Sequence, residues 1–388
     1  MTERPRLLYL ITEDWYFWSH RLDVARAAVT AGFDVAIATR VTDHGERIKE
    51  QGFKLFPIRL NRRGANPIAE FLAIVELVML YRQERPAIVH HVAMKPILYG
   101  SLAAWMTGVP RVVNAFAGLG YAFTDPQRGS RILRACLRCA LAVLLRLSRS
   151  VVIFQNQDDR DLLIGLDVAA RERSKIIPGS GVDTNVFDIH PPSQGEPIVM
   201  LASRMLWDKG IGEFVDAARR AKHDGTAARF VLVGRCDGHN PAAIAPSTIQ
   251  DWVREGAVEW WGHRDDMPST LTSAAVVVLP SYREGLPKVL LEAAATGKAL
   301  VATDVPGCRD VVMHGVNGFL VPVRDSAALA TAIDSLLLDA PLRTAMGIAG
   351  RESVIRRFSV EAVASQFIDL YRELLGRSGQ RRGAAGIA

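Results

Sequence analysis

Short β-branched runs alternate with longer stretches of helical period along almost the whole chain. Strand-like runs in the first half fall at RLLYLI (6–11), DVAIAT (34–39), KLFPI (54–58), AIVHH (87–91), RVVNAF (111–116), SVVIFQ (150–155) and KIIPG (175–179). Between most of them apolar residues recur at i, i+3, i+4 and i+7, as in 19–31, 66–83 and 129–148, which is the period of an amphipathic helix. Short β-branched strands joined by helices predict an α/β chain whose parallel sheet is covered on both faces.

The period breaks after Asp188, where IHPPSQGEP brings prolines, a glycine and polar residues together and reads as a linker. A second cycle follows: PIVMLAS (197–203), RFVLVG (229–234), AVEWWG (257–262), AVVVLP (275–280), ALVAT (299–303) and GFLVPV (318–323), with helical patterns at 210–222, 241–255 and 287–297. We therefore expect two Rossmann-like, doubly wound domains, 1–188 and 189–375, with a ligand cleft between them at the carboxyl ends of the strands. A length of 388 residues suits two such cores better than one. The Gly- and Arg-rich stretch 376–388 reads as a flexible tail.

Composition narrows the class. With 49% hydrophobic and 23% charged residues the chain is globular, neither disordered nor coiled coil. No apolar run approaches the roughly 20 residues that span a bilayer, and MTERPRLLYLITEDW does not read as a secretory signal. The expectation is a cytosolic chain, or one attached from the cytosolic side. The four cysteines, 136, 139, 236 and 308, are too few and scattered for a disulfide framework, and Cys136 and Cys139 are expected to be buried thiols. Neither half carries G-x-G-x-x-G after its first strand and no P-loop pattern occurs, which argues against a dinucleotide oxidoreductase or a P-loop NTPase.

Charge is uneven. Residues 1–190 hold 25 Lys and Arg against 19 Asp and Glu, whereas residues 191–388 hold 22 of each, so the whole net charge of +6 belongs to the first half. No acid lies between Asp125 and Asp158, where Arg128, Arg131, Arg134, Arg138, Arg146 and Arg149 interleave with apolar residues. On a helix 131, 134 and 138 share a face, a pattern suited to an anionic membrane surface; the alternative is a core helix with snorkelling arginines. No aromatic-basic platform accompanies it, so nucleic acid is not expected as a partner.

The candidate chemistry lies in the second half. In SYREGLPKVLLEAAATGKALVATDVPG (281–307) a strand gives way to a loop with Glu284 and Gly285, and then to a helix that starts near Pro287 and carries Glu292. The helix N-terminus beside Gly285 and Leu286 offers free N–H groups to an anion. Glu292 could accept the two hydroxyls of a ribose, and Glu284 could orient a sugar ring. In SRMLWDKG (203–210), Arg204 and Lys209 flank a four-residue spacer at a strand end, a pairing suited to a departing diphosphate.

Together, Arg204…Lys209 and Glu284…Glu292 resemble the donor site of the family 4 retaining glycosyltransferases, enzymes of the GT-B fold. PGSGVDTNVF (178–187), EGLPKVLLEA (284–293), GKALVAT (297–303) and GVNGFLVP (315–322) follow the same family pattern, and the likeness covers essentially 6–375. Within the family, HHVAMKPILYGSLAA (90–104) and VNAFAGLGYAFT (113–124) are similar to enzymes that extend sugars on undecaprenyl diphosphate, of the bacillosaminyl-diphosphoundecaprenol α-1,3-N-acetylgalactosaminyltransferase type.

The resemblance implies transfer of a hexosyl or N-acetylhexosaminyl group, with retention, from a nucleotide-sugar (UDP-linked) to a lipid-linked saccharide at the cytosolic membrane surface. It places the diphosphate on Arg204 and Lys209, the ribose on Glu292, and the donor sugar and phosphate on Glu284 and the amides of Gly285 and Leu286. It implies no metal and no other cofactor, and a final helix, 359–375, that crosses back to the first domain. Two departures stand out. TEDWYFWSHRL (12–22) occupies the place of a glycine-rich loop, and Ala117-Gly118 that of a His-Gly pair. Trp15, His20, His90, His91 and Lys95 are therefore the acceptor-side candidates, with histidine able to take an acceptor proton near neutral pH. Two other readings stay open: a UDP-sugar 2-epimerase of the same fold, and a non-catalytic nucleotide-sugar or lipid-binding partner.

Overall fold

The computed structural model describes residues 4–61, 66–119, 123, 131–190, 195–238 and 240–384. The chain forms two compact units, one of residues 1–180 with 363–388 and the other of 181–362. Residues 181–188 belong to the second unit because Val182 N–H donates to Phe358 O (2.8 Å) and Arg351 donates to Phe187 O (2.9 Å).

The first unit is built on seven parallel strands: β1 (Arg6–Glu13), β2 (Asp34–Arg40), β3 (Lys54–Pro57), β4 (Ile88–Val92), β5 (Val112–Ala115), β6 (Val151–Phe154) and β7 (Ser174–Ile176), in the order β3-β2-β1-β4-β5-β6-β7. The order reverses between β1 and β4, which opens a crevice at the carboxyl edge. Alternation along β1 divides the core. Leu7, Tyr9 and Ile11 face the helix Leu22–Thr30 and the C-terminal helix, whereas Leu8 and Leu10 face the helices Pro67–Glu84 and Met94–Thr107.

The second unit repeats this plan with β8 (Ile198–Ala202), β9 (Arg229–Val233), β10 (Glu259–Trp260), β11 (Val276–Leu279), β12 (Ala299–Thr303) and β13 (Gly318–Val321), in the order β10-β9-β8-β11-β12-β13. All of its strand pairs are parallel, and its switch point lies between β8 and β11. Val199 and Leu201 pack on one face and Met200 and Ala202 on the other. The thirteen strands coincide with the thirteen expected runs, to within a residue or two at most ends.

One expected loop is not a loop. After β1 the chain enters a helix, Asp14–His20, at once. Asp14 is fully buried and accepts from Trp15 N (2.8 Å), Thr42 N (2.7 Å), Thr42 Oγ1 (2.6 Å) and His44 N (2.8 Å). Burial alone would raise its pKa, but these bonds outweigh it and hold the carboxyl below its ordinary value.

The last helix, Val360–Ala384, sends Val363, Phe367 and Tyr371, one turn apart, into the core of the first unit. Tyr371 Oη lies 2.8 Å from Tyr9 Oη and 2.7 Å from His90 Nδ1.

Candidate functional site

The β8 and β11 loops meet at the switch point of the second sheet. After β8 the chain makes a single 3₁₀ turn, Trp207–Lys209, and closes it at Gly210 in the left-handed region (φ 70°). Glycine is required there, since a Cβ would lie 2.1 Å from Pro280 O. Tyr282 N–H then donates to Asp208 O (2.9 Å), which ties the loop after β11 to the loop after β8. With the loops so fixed, Lys209 Nζ reaches Glu284 Oε1 at 2.5 Å, and both side chains are largely buried. Gly307, also at positive φ (80°), closes in from the loop after β12; a Cβ on it would lie 2.6 Å from Gly285 O.

Glu292 occupies the second turn of the helix Lys288–Ala295 and is buried. Its burial pushes the carboxyl pKa up, against the pull of Lys288, whose Nζ lies 3.2 Å from Oε1 one turn back. Leu286 packs against the core cluster to which Leu290 and Leu291 belong. Asp266 caps the helix Met267–Thr272 by accepting from Ser269 N (3.1 Å).

Arg204 has an acidic partner of its own. It is half-exposed, bonds Asp237 Oδ2 at 3.1 Å, and lines a cavity with Arg235, His263, Arg264 and Met267 at the ends of β8, β9 and β10. Arg235 Nη2 lies 2.9 Å from His263 Nε2. Gly234 (φ 141°) lets the β9 end approach β8 closely, since a Cβ there would lie 1.8 Å from Ser203 O. Three arginines among its lining residues make this cavity suited to an anion. Sequence reasoning missed Arg235, Asp237, His263 and Arg264. The available signal was their place immediately after the strand runs ending VLVG and WWG.

In the first unit a cavity of about 390 Å³ opens at the ends of β1, β4 and β5, lined among others by Glu13, Trp15, Tyr16, Lys95 and Gly118. It lies at the switch point between β1 and β4. Trp15 and Lys95 are thus placed on its wall, and Lys95 Nζ donates to Glu70 Oε1 (2.7 Å) and Asn61 O (2.8 Å). His20 sits beside the cavity wall, stacked on Tyr16 with ring centroids 4.3 Å apart, its Nδ1 2.6 Å from Ser19 Oγ. Of the other aromatic neighbours, Phe17 is a core residue and Trp18 lies under Arg47.

His90 and His91 are not at this cavity; this corrects the expectation that they face an acceptor. Both are fully buried within β4. His91 bonds Tyr81 Oη (3.0 Å) and Asn114 Oδ1 (2.8 Å), and burial lowers its pKa to about 4. His90 is held well below the ordinary histidine pKa, chiefly by burial and then by the charge of Arg21. Both are neutral core residues at pH 7.

Arg131, Arg134 and Arg138 lie on the helix Arg131–Leu147, and Arg128 lies outside the described residues. The helix turns Leu141 and Leu145 into the core and leaves Arg131 and Arg138 exposed. Cys136 and Cys139 are also exposed, contrary to expectation, because they fall on the outer side of a helix that buries only its later turns. Among the described residues no helix is long and apolar enough to cross a membrane.

Family models match both units: residues 6–156 fit "Glycosyl transferase 4-like" and residues 196–339 fit "Glycosyl transferases group 1". The N,N'-diacetylbacillosaminyl-diphospho-undecaprenol alpha-1,3-N-acetylgalactosaminyltransferase of Campylobacter jejuni is 24% identical over 370 residues, 92% of this chain and 95% of that one. An alpha-maltose-1-phosphate synthase of Mycolicibacterium smegmatis is 30% identical over 348 residues, 80% of this chain and 85% of that one. Among solved structures, Anabaena HepE in complex with UDP-glucose superposes with a TM-score of 0.75 at 19% identity, covering 95% of this chain and 99% of that one.

Proposed function

The chain belongs to the family of group 1, family 4-like glycosyl transferases and is a glycosyltransferase of the GT-B fold, and from that premise we propose which sugar transfer it performs. It moves a hexosyl or N-acetylhexosaminyl group from a UDP-sugar to a polyprenyl-diphosphate-linked saccharide, with retention, at the cytosolic face of the membrane. The observation that carries this reading is the meeting of Lys209 and Glu284 where the β8 and β11 loops converge. Similarity over nearly the whole chain to a transferase named for an undecaprenol-linked acceptor supports the acceptor class.

In this reading Arg204 and Lys209 stabilise the diphosphate as it departs, since fixed cations act most strongly where negative charge develops in a partly desolvated site. Glu284 orients the donor sugar, with the amides of Gly285 and Leu286 beside the phosphate, and buried Glu292 accepts the ribose hydroxyls. The acceptor enters the cavity of Trp15 and Lys95. Attack on the same face as the leaving diphosphate retains configuration without a covalent intermediate. Two cations carry the leaving-group charge, so the reaction needs no metal.

The test is a screen of UDP-sugars with polyprenyl-diphosphate-linked acceptors, read by UDP release, followed by assignment of the product's anomeric configuration. Inversion would overturn the mechanism. Conversion of a UDP-sugar without acceptor would favour the 2-epimerase instead, and absence of turnover with every donor and acceptor would defeat the substrate assignment.

A further inference from the structure

The helix Pro67–Glu84 is apolar on both sides. It buries Ala73, Leu77, Leu80 and Tyr81 against the sheet, yet Ile68, Phe71, Leu72 and Met79 stand on its outer side, Ile68 72% and Phe71 63% exposed. A helix apolar all round is ordinarily enclosed, either by protein or by lipid. This one follows an edge strand and lies on the same sheet face as Met94–Thr107, which in turn packs against Arg131–Leu147. The helix Arg131–Leu147 likewise carries exposed Ile132 (76%) beside exposed Arg131 and Arg138, and exposed Arg59 donates its backbone N–H to Glu76 on Pro67–Glu84 (3.0 Å). All of this lies in the half that holds the whole positive excess.

We propose that the first turns of Pro67–Glu84, through Ile68, Phe71 and Leu72, insert into the headgroup layer of an anionic phospholipid bilayer. The occupant follows from charge and from place. Exposed apolar side chains on a half of the chain with a positive excess, with Arg59 against the same helix, suit an anionic interface, where burial of the former and attraction of the latter act together. Glu70, between Ile68 and Phe71, accepts from Lys95 at 2.7 Å, and Lys95 lines the cavity of the first unit. The inserted turn thus borders the cavity rim, where a lipid-borne acceptor would arrive. The inference rests on the proposed membrane-linked acceptor and adds the element that makes contact.

The experiment is co-sedimentation of the full chain with phosphatidylcholine–phosphatidylglycerol vesicles at low and high salt. Wild type should bind, and Ile68→Ser/Phe71→Ser/Leu72→Ser should bind at least about tenfold more weakly at high salt, where only apolar contact remains. Its melting temperature and its turnover of a water-soluble, short-chain acceptor should be unchanged. In Phe71→Trp, the difference spectrum from wild type should show a blue-shifted indole on vesicle addition. Unchanged binding of the triple variant, or no blue shift, would overturn the proposal. So would a wild-type dimer that the triple variant loses while vesicle binding persists, since a second copy would then cover the face. Absence of vesicle binding in wild type would also overturn it, while turnover of the soluble acceptor would leave the transferase reading standing.

Discussion

Lys209 and Glu284, seventy-five residues apart in sequence, are joined at 2.5 Å because two loops are pinned together beneath them. The pins are backbone features: Tyr282 N–H on Asp208 O, and Gly210 beneath Pro280 O. Lys209→Ala should therefore lower kcat by about a hundred- to a thousandfold, the usual cost of removing one donor to developing charge. Steady-state kinetics beside a circular-dichroism melt measures this, and unchanged turnover in the folded variant refutes the role given to Lys209.

Glu292 gives a pH prediction whose sign is fixed by burial. Its folded pKa is raised, so the folded chain holds this proton to higher pH than the unfolded chain does. The resulting stability is full below the ordinary glutamate pKa and is lost as pH rises through the raised folded value. Glu292→Gln cannot ionise and escapes that loss. Denaturant melts of the ligand-free protein should show the variant gaining on wild type between acidic and neutral pH. Affinity for UDP should fall about 10- to 100-fold in the same variant, as for loss of a charged hydrogen bond.

Gly234→Ala should cost about 2 kcal/mol or more, since it combines an unfavourable φ with a collision against backbone rather than a movable side chain. Gly238, a few residues on, has nothing within 4 Å of an added Cβ, and Gly238→Ala should be close to neutral. Thermal melts of the two variants compare them directly.

Tyr371→Phe removes two buried hydrogen bonds and should destabilise the fold by about 1–3 kcal/mol, while leaving KM for the acceptor unchanged. A raised KM with intact stability would return His90 to the acceptor site.

Chelation should leave turnover unaltered, because Arg204 and Lys209 supply the charge that a divalent ion would otherwise provide. Turnover before and after EDTA, with added magnesium or manganese as the control, decides it.

The sheets were legible because strands buried on both faces are short, β-branched and bounded by helical periods. The β8 and β11 loops were legible because each follows such a strand directly. His90 and His91 were misread for a related reason: in a strand with no solvent face, alternation carries no sign of which side chains are buried. The helix Asp14–His20 was hidden by its aromatic run, and only Asp14's bonds to Thr42 and His44 show why the chain turns there. The partner of Arg204 could not be read either, since Asp237 reaches it from a loop thirty-three residues away.

The return of the C-terminal helix also orders events during synthesis. Tyr9 leaves the ribosome 362 residues before its partner Tyr371. The second unit, contiguous in sequence, can close its core without the last helix, whereas the first must wait for it with the core beside β1 incomplete. The half made first is therefore finished last, and a translation pause shortly before residue 363 would leave that core open to chaperones.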